Sequence, residues 1–188
     1  MKHLGRTLGV VVVVLAVALT PAALAGSAKL PVPKHTACAL VKKGQVSRIV
    51  GAAMRVATSW KFHQSVGPAS HLLKESLCYW SAGSPATSDT ARLTYYAAGS
   101  TSAAFEEYTA LADGLASQWT AVTGIGKLAA SSPSQGSNIG FAANAMAWYK
   151  NQFMSVSVGT PHQSADAEDQ AVAVLKIAAH TAGWPVKH

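Results

Sequence analysis

Residues 91–117, ARLTYYAAGSTSAAFEEYTALADGLAS, change their apolar period partway along. Up to Ala98 the side chains alternate, with Leu93, Tyr95 and Ala97 on one face and Arg92, Thr94 and Tyr96 on the other. That two-residue period is the signature of a strand. From Ser102 the period lengthens, and Phe105, Tyr108, Ala112 and Leu115 form one apolar stripe of a helix running to Ser117, with Ser102 as its N-cap.

Leu77 to Ser81 reads as an earlier strand, joined to Ala91–Ala98 through Gly83-Ser84-Pro85 and a polar stretch to Thr90, so an antiparallel hairpin precedes the helix. After Trp119 come three more candidate strands, Ala121 to Ala130, Phe141 to Lys150 and Phe153 to Gly159, the last two linked by Asn151-Gln152. Upstream, Val46, Ile49 and Val50 mark a short helix capped by Gly51. Met54, Val56 and Thr58 then alternate with Arg55, Ala57 and Ser59 up to Trp60, as in a half-buried strand, and the polar stretch from His63 to Glu75, carrying Gly67-Pro68, reads as a loop. A last helix, Ala165 to Thr181, uses Val172, Leu175, Ile177 and Ala179 and is ended by Gly183 and Pro185. Strands come in runs instead of alternating singly with helices. The expectation is therefore an α+β domain, an antiparallel sheet of about six strands with three helices packed on it. Each strand group is followed by one helix, a hint of duplication that no sequence repeat supports.

Ahead of this domain, Lys2 and Arg6 precede the apolar run Leu8 to Leu19, and Ala23-Leu24-Ala25 closes it. Positive start, short apolar middle and small-residue exit make a secretory signal peptide, residues 1–25, with cleavage expected between Ala25 and Gly26. The run is 12 residues, whereas a bilayer-spanning helix needs about 20. No membrane span is expected after cleavage. Residues 26–35, with Pro31 and Pro33, read as a flexible leader, and 36–188 as one domain.

Export gives meaning to Cys38 and Cys78, because oxidising compartments pair such thiols, and a structural disulfide is expected between them. Once Lys2 and Arg6 are removed, 13 basic residues face 8 acidic ones, a net of +5. The basic residues are scattered, with only Lys42-Lys43 adjacent, which argues against a nucleic-acid interface. Charged residues are 12% of the chain, against a usual figure of about 25%, so small polar residues fill the surface.

Motifs that carry chemistry fail on inspection. Thr123-Gly124-Ile125-Gly126-Lys127-Leu128 lacks the first glycine and the terminal Ser or Thr of a phosphate loop, and reads as a glycine-relieved turn or bulge entering a strand. There is no G-x-S-x-G, H-E-x-x-H or S-x-x-K signature with its partners. Glu106, Glu107, Asp166, Glu168 and Asp169 fall near helix N-termini, where the backbone dipole favours negative charge, leaving only Glu75, Asp89 and Asp113. No catalytic residue and no cofactor is expected. His63 and His71 are the weak candidates for metal ligands, lacking tight ligand spacing. The adjacent aromatic pairs Tyr79-Trp80, Tyr95-Tyr96 and Trp148-Tyr149 each send one ring to either face of a strand, and their outward rings are the candidate ligand face.

Cys38-Ala39-Leu40, the helix from Gln45 to Gly51, Cys78-Tyr79-Trp80, the Ser-Ala-Ala-Phe helix start at 102–105 and Gly124-Ile125-Gly126, with paired strands and a last helix, carry a resemblance. In this order they are similar to small exported and lipoprotein domains of uncharacterised function common in actinobacteria. The resemblance covers most of the chain after the signal segment, and implies a disulfide between the two cysteines and an α+β sandwich similar to the PsbP-like fold. It departs at two places: the lipobox cysteine is absent after Ala25, and Lys127 stands where relatives carry an Asp. Neither lipid anchoring nor a role for that acidic position carries over, and no catalytic residues come with the family.

These observations together lead to the expectation of a secreted, non-enzymatic binding or interaction module of the bacterial cell envelope. Its partner would be an envelope protein or a small apolar or glycan ligand. The alternatives are a secreted hydrolase whose site is assembled from distant residues, and an inhibitor or accessory subunit of another exported enzyme.

Overall fold

The computed structural model describes residues 30–84, 88–115, 118–137 and 140–187. The signal segment, its cleavage point and the leader up to Lys29 lie outside the described residues, as do Pro85 of the second hairpin's connection and Ser117 at the expected helix end. Leu30 to His35 form neither helix nor strand.

Two short helices open the fold, α1 (Ala37–Leu40) and α2 (Lys43–Val50), the second ended by Gly51 at φ 79°, as its position in the sequence implied. The first was not anticipated; one turn is too short to show a period. Three strands follow, β1 (Arg55–Val66), β2 (Leu72–Ser81) and β3 (Thr90–Ala98), then α3 (Thr101–Leu115). After it come β4 (Thr120–Ala121), β5 (Leu128–Ser137), β6 (Gly140–Tyr149), β7 (Gln152–Thr160) and α4 (Ala167–Thr181). The strands form one sheet in the order β1-β2-β3-β7-β6-β5-β4, every neighbour antiparallel. The α+β class and antiparallel sheet are as expected, with seven strands and four helices among the described residues.

Three local readings need correction. His63 to Glu75 is no loop: β1 runs on to Val66, a turn covers 67–70, and β2 begins at Leu72. Its polarity misled because β1 is an edge strand, exposed almost throughout, with Val56 48% exposed where a half-buried strand was expected. Solvated edges carry polar side chains just as loops do. The expected strand Ala121 to Ala130 is split into β4 and β5 by the glycine turn, whose Ile125 bridges to Val186 near the C-terminus. Gly126 is required there: its φ is 59°, and a Cβ would stand 2.7 Å from the Trp148 carbonyl oxygen. The β6–β7 turn is Lys150-Asn151, one residue earlier than expected, and Gln152 pairs with Tyr149. Gln152 is held in the strand because its Oε1 accepts hydrogen bonds from the Tyr95 hydroxyl (2.6 Å) and Trp184 Nε1 (3.2 Å).

The two sheet faces are covered unequally. On one lie α1, α2 and α4, whose Leu40, Val46, Val174 and Leu175 pack on Leu93, Met154 and Val156. Ala143, Ala145 and Ala147 on β6 keep that surface shallow, so that α4 can lie close. Cys38 on α1 is bonded to the buried Cys78 on β2 with 4.9 Å between their Cα atoms, which fastens this layer to the sheet. Among the described residues the other face carries only α3, seated through Ala104 and Tyr108 on Leu73, Ala98, Met146, Trp148 and Phe153. Tyr96 stacks on Phe153 there, with ring centroids 4.4 Å apart.

Helix α3 is fixed by a buried charge. Glu107, fully buried, accepts the Ala69 N–H at 3.0 Å and the His71 N–H at 2.7 Å, both from the β1–β2 turn. Gly67 makes the approach possible, because a Cβ on it would fall within 2.0 Å of the carboxylate. Glu107 is thus a tertiary anchor and not, as read from the sequence, a dipole complement: α3 begins six residues earlier and has no acidic residue in its first turn.

Three outcomes follow. Cutting the 40-residue loop, by reduction or in Cys38→Ser/Cys78→Ser, lowers stability by up to ~4 kcal/mol on the chain-entropy account, measured by urea unfolding. Glu107→Gln replaces a charged acceptor with an amide that must aim one end at N–H donors; a loss of about 1.5–3 kcal/mol is expected, and a loss below 0.5 kcal/mol would remove the anchor role. Burial pushes the Tyr108 and Tyr96 hydroxyls up to about 12 and the Tyr95 hydroxyl further, with Glu75 adding to the Tyr96 rise. Groups raised on folding contribute stability that is complete below the unfolded pKa of about 10 and lost as pH climbs through the folded values. Tyrosinate absorbance from these rings should therefore appear together with unfolding above pH 10, not ahead of it.

Candidate functional site

Beyond the end of α3, the strands β3, β7 and β6 run on uncovered, and their exposed half forms the floor of a cleft of about 300 Å³. The floor is polar, made by Thr90, Arg92 and Thr94 of β3, Ser155 and Ser157 of β7, and Asn144 of β6. Leu111 and Leu115 of α3 form one wall, and Tyr79, Tyr96 and Phe141 contribute rings. Strand alternation explains the composition. The same strands send Leu93, Val156 and Ala145 to the α4 side, so the polar residues are the other half of one two-residue period.

Asn144, on the floor of the cleft, is 7% exposed. The neighbouring Ser132, its cross-strand partner on β5, is fully buried with its hydroxyl unpartnered. Arg92 Nε donates to Thr94 Oγ1 at 3.2 Å, which orients the guanidinium while leaving its other N–H donors without a protein acceptor among the described residues. None of the eight Asp and Glu residues of the chain lines the cleft. Burial chiefly pushes the Tyr96 hydroxyl up to about 12; Glu75 and Glu107 add to the rise and Arg92 opposes it. Glu75 itself lies 4.0 Å from His63 Nε2.

The aromatic pairs do not share a surface. Tyr79 and Tyr96 line the cleft, and Trp148 is on the same face but beneath α3, tilted against Phe105 at 5.0 Å. Trp80 and Tyr95 are buried in the opposite core, and Tyr149 packs there against Trp184. Of the six rings singled out in the sequence, Tyr79 and Tyr96 line the cleft. Nor do the candidate metal ligands converge: His63 sits edge-on to Trp60 and nearest Glu75, whereas His71 Nε2 meets Glu106 at 2.7 Å. Among the described residues no group of three or more His, Cys, Asp or Glu stands where it could hold a metal ion. Neither histidine lines the cleft, and neither is hydrogen-bonded to a serine.

The floor residues were missed in the sequence, although a signal was present. Arg92 and Thr94 alternate with apolar residues on a strand of high β-character, and Asn144, Ser155 and Ser157 repeat the pattern on two others. Polar alternation on three central strands marks a face that no helix covers.

No family model and no curated protein matches the chain. Among solved structures it is similar to the extracellular domain of PknH from Mycobacterium tuberculosis, at 12% identity over 80% of this chain and 97% of that one, with a TM-score of 0.47. No helix among the described residues is long and apolar enough to cross a membrane.

Proposed function

We propose that this chain is an extracytoplasmic, non-enzymatic binding module of the bacterial cell envelope, and that its ligand is a small polar molecule seated in the cleft beside α3. The observation that carries this reading is the concave floor built by three central strands, where Arg92, Thr94, Asn144, Ser155 and Ser157 converge. Concavity with few convergent polar groups is the usual form of a small-molecule site. The Cys38–Cys78 bond and the N-terminal apolar segment support export. Of the ligand classes expected from the sequence, the floor chemistry favours a glycan over an apolar compound.

Thermal melting of the protein against fractionated envelope extracts and a glycan panel tests this. A ligand at about a hundredfold above its Kd should raise the Tm by roughly 5–10 °C. Ser157→Trp, which fills the floor, should abolish the rise while still melting cooperatively. Equal shifts in both proteins, or no shift with any fraction, would overturn the cleft as the binding site.

A further inference from the structure

We infer that the cleft is built for an acidic sugar, a hydroxylated ring carrying one carboxylate or phosphate, with Arg92 as the residue that holds the oxyanion. This rests on the binding-module reading and narrows it. Among the described residues Arg92 is the one charged residue lining the cleft, and the floor around it offers hydroxyls and an amide but no carboxylate. A guanidinium is a planar fork that matches a carboxylate or phosphate with two parallel hydrogen bonds. The Thr94 hydroxyl accepts from Nε and so sets the plane of that fork before any ligand arrives.

The remaining chemistry fits a sugar ring rather than a bare ion. Asn144 both donates and accepts, as a sugar hydroxyl does, and it lines the floor beside Ser155 and Ser157. Tyr79 and Phe141 add flat apolar surface for the C–H face of a ring. The volume of about 300 Å³ equals that of roughly ten waters, enough for one substituted ring. Asp89, the carboxylate nearest in sequence to the floor residues, lines a separate depression with Thr160 and His162 and does not compete for Arg92 from within the cleft.

The experiment is a titration of the purified protein, followed by NMR of the Arg92 Nε–H and Asn144 side-chain amide signals at low ionic strength. The probes are D-glucuronate, glucose 6-phosphate, D-glucose and inorganic phosphate. Both acidic sugars should shift these signals at concentrations at least tenfold below those needed for glucose or for phosphate. Arg92→Gln should weaken the acidic sugars roughly ten- to hundredfold, the usual consequence of losing hydrogen bonds to a charged group, and leave glucose within twofold. Arg92→Lys should recover only part of the loss. Unchanged melting of both variants shows that the fold is intact. Glucose binding as tightly as glucuronate would overturn the anionic class while leaving the cleft a ligand site. Phosphate binding as tightly as the acidic sugars would overturn the ring. No shift from any of the four would overturn this inference, and the extract titration with Ser157→Trp would then decide the binding-module reading separately.

Discussion

A seven-stranded sheet presents two broad faces, and the helices among the described residues cover one of them fully. With strands about 4.8 Å apart, the sheet spans roughly 29 Å across, whereas a helix with its side chains covers only about 10 Å. On one face α1, α2, α4 and Trp184 share the work. On the other, α3 stands alone over Met146, Trp148 and Phe153. Apolar side chains on the uncovered part would be left in water, so the same three strands that carry Leu93, Val156 and Ala145 toward α4 carry Thr94, Ser157 and Asn144 on their other side. The cleft is thus a direct result of how much helix the chain places on each face.

Where α3 stops is therefore as consequential as where it packs. Its first half is held by Ala104, Tyr108 and the Glu107 carboxylate under the β1–β2 turn, and Trp119 Nε1 closes the far end on the Ala112 carbonyl. Only Leu111 and Leu115 reach the cleft wall. The runs β1–β3 and β4–β7, each followed by one helix, invite a description as repeats related about the antiparallel β3–β7 pair. A two-fold axis through that pair stands normal to the sheet and would place both helices on one face. They lie on opposite faces, so the likeness is one of element order alone.

The architecture was largely legible because the period of apolar residues changes sharply at Gly99 and because strands come in runs. Gly51 marked a helix end correctly, and the two cysteines a pairing. Failures gathered where local polarity has two causes. Edge strand β1 and a loop look alike at 63–66 because both are solvated. The glycines at 124 and 126 were read as a turn or bulge entering a strand, yet the strand was still begun at Ala121, because they can serve either geometry until the C-terminal segment is seen lying against them. Glu107 was assigned to a helix dipole because its true partners are backbone N–H groups more than 35 residues away. The site was half visible: Tyr79 and Tyr96 were singled out, while Arg92 and Asn144 were not, since their importance depends on which helix fails to cover them.

The Cys38–Cys78 bond has a mechanical consequence. A pull on the chain ahead of Cys38 passes through sulfur directly into β2, the strand between β1 and β3. The intervening residues, which include α2 and the whole of β1, lie inside the covalent loop and bear none of the load. The exposed edge strand, with a neighbour on one side only, would otherwise be among the first elements to peel away. With the bond closed, tension on that end must instead shear β2 from β3 along nine paired positions.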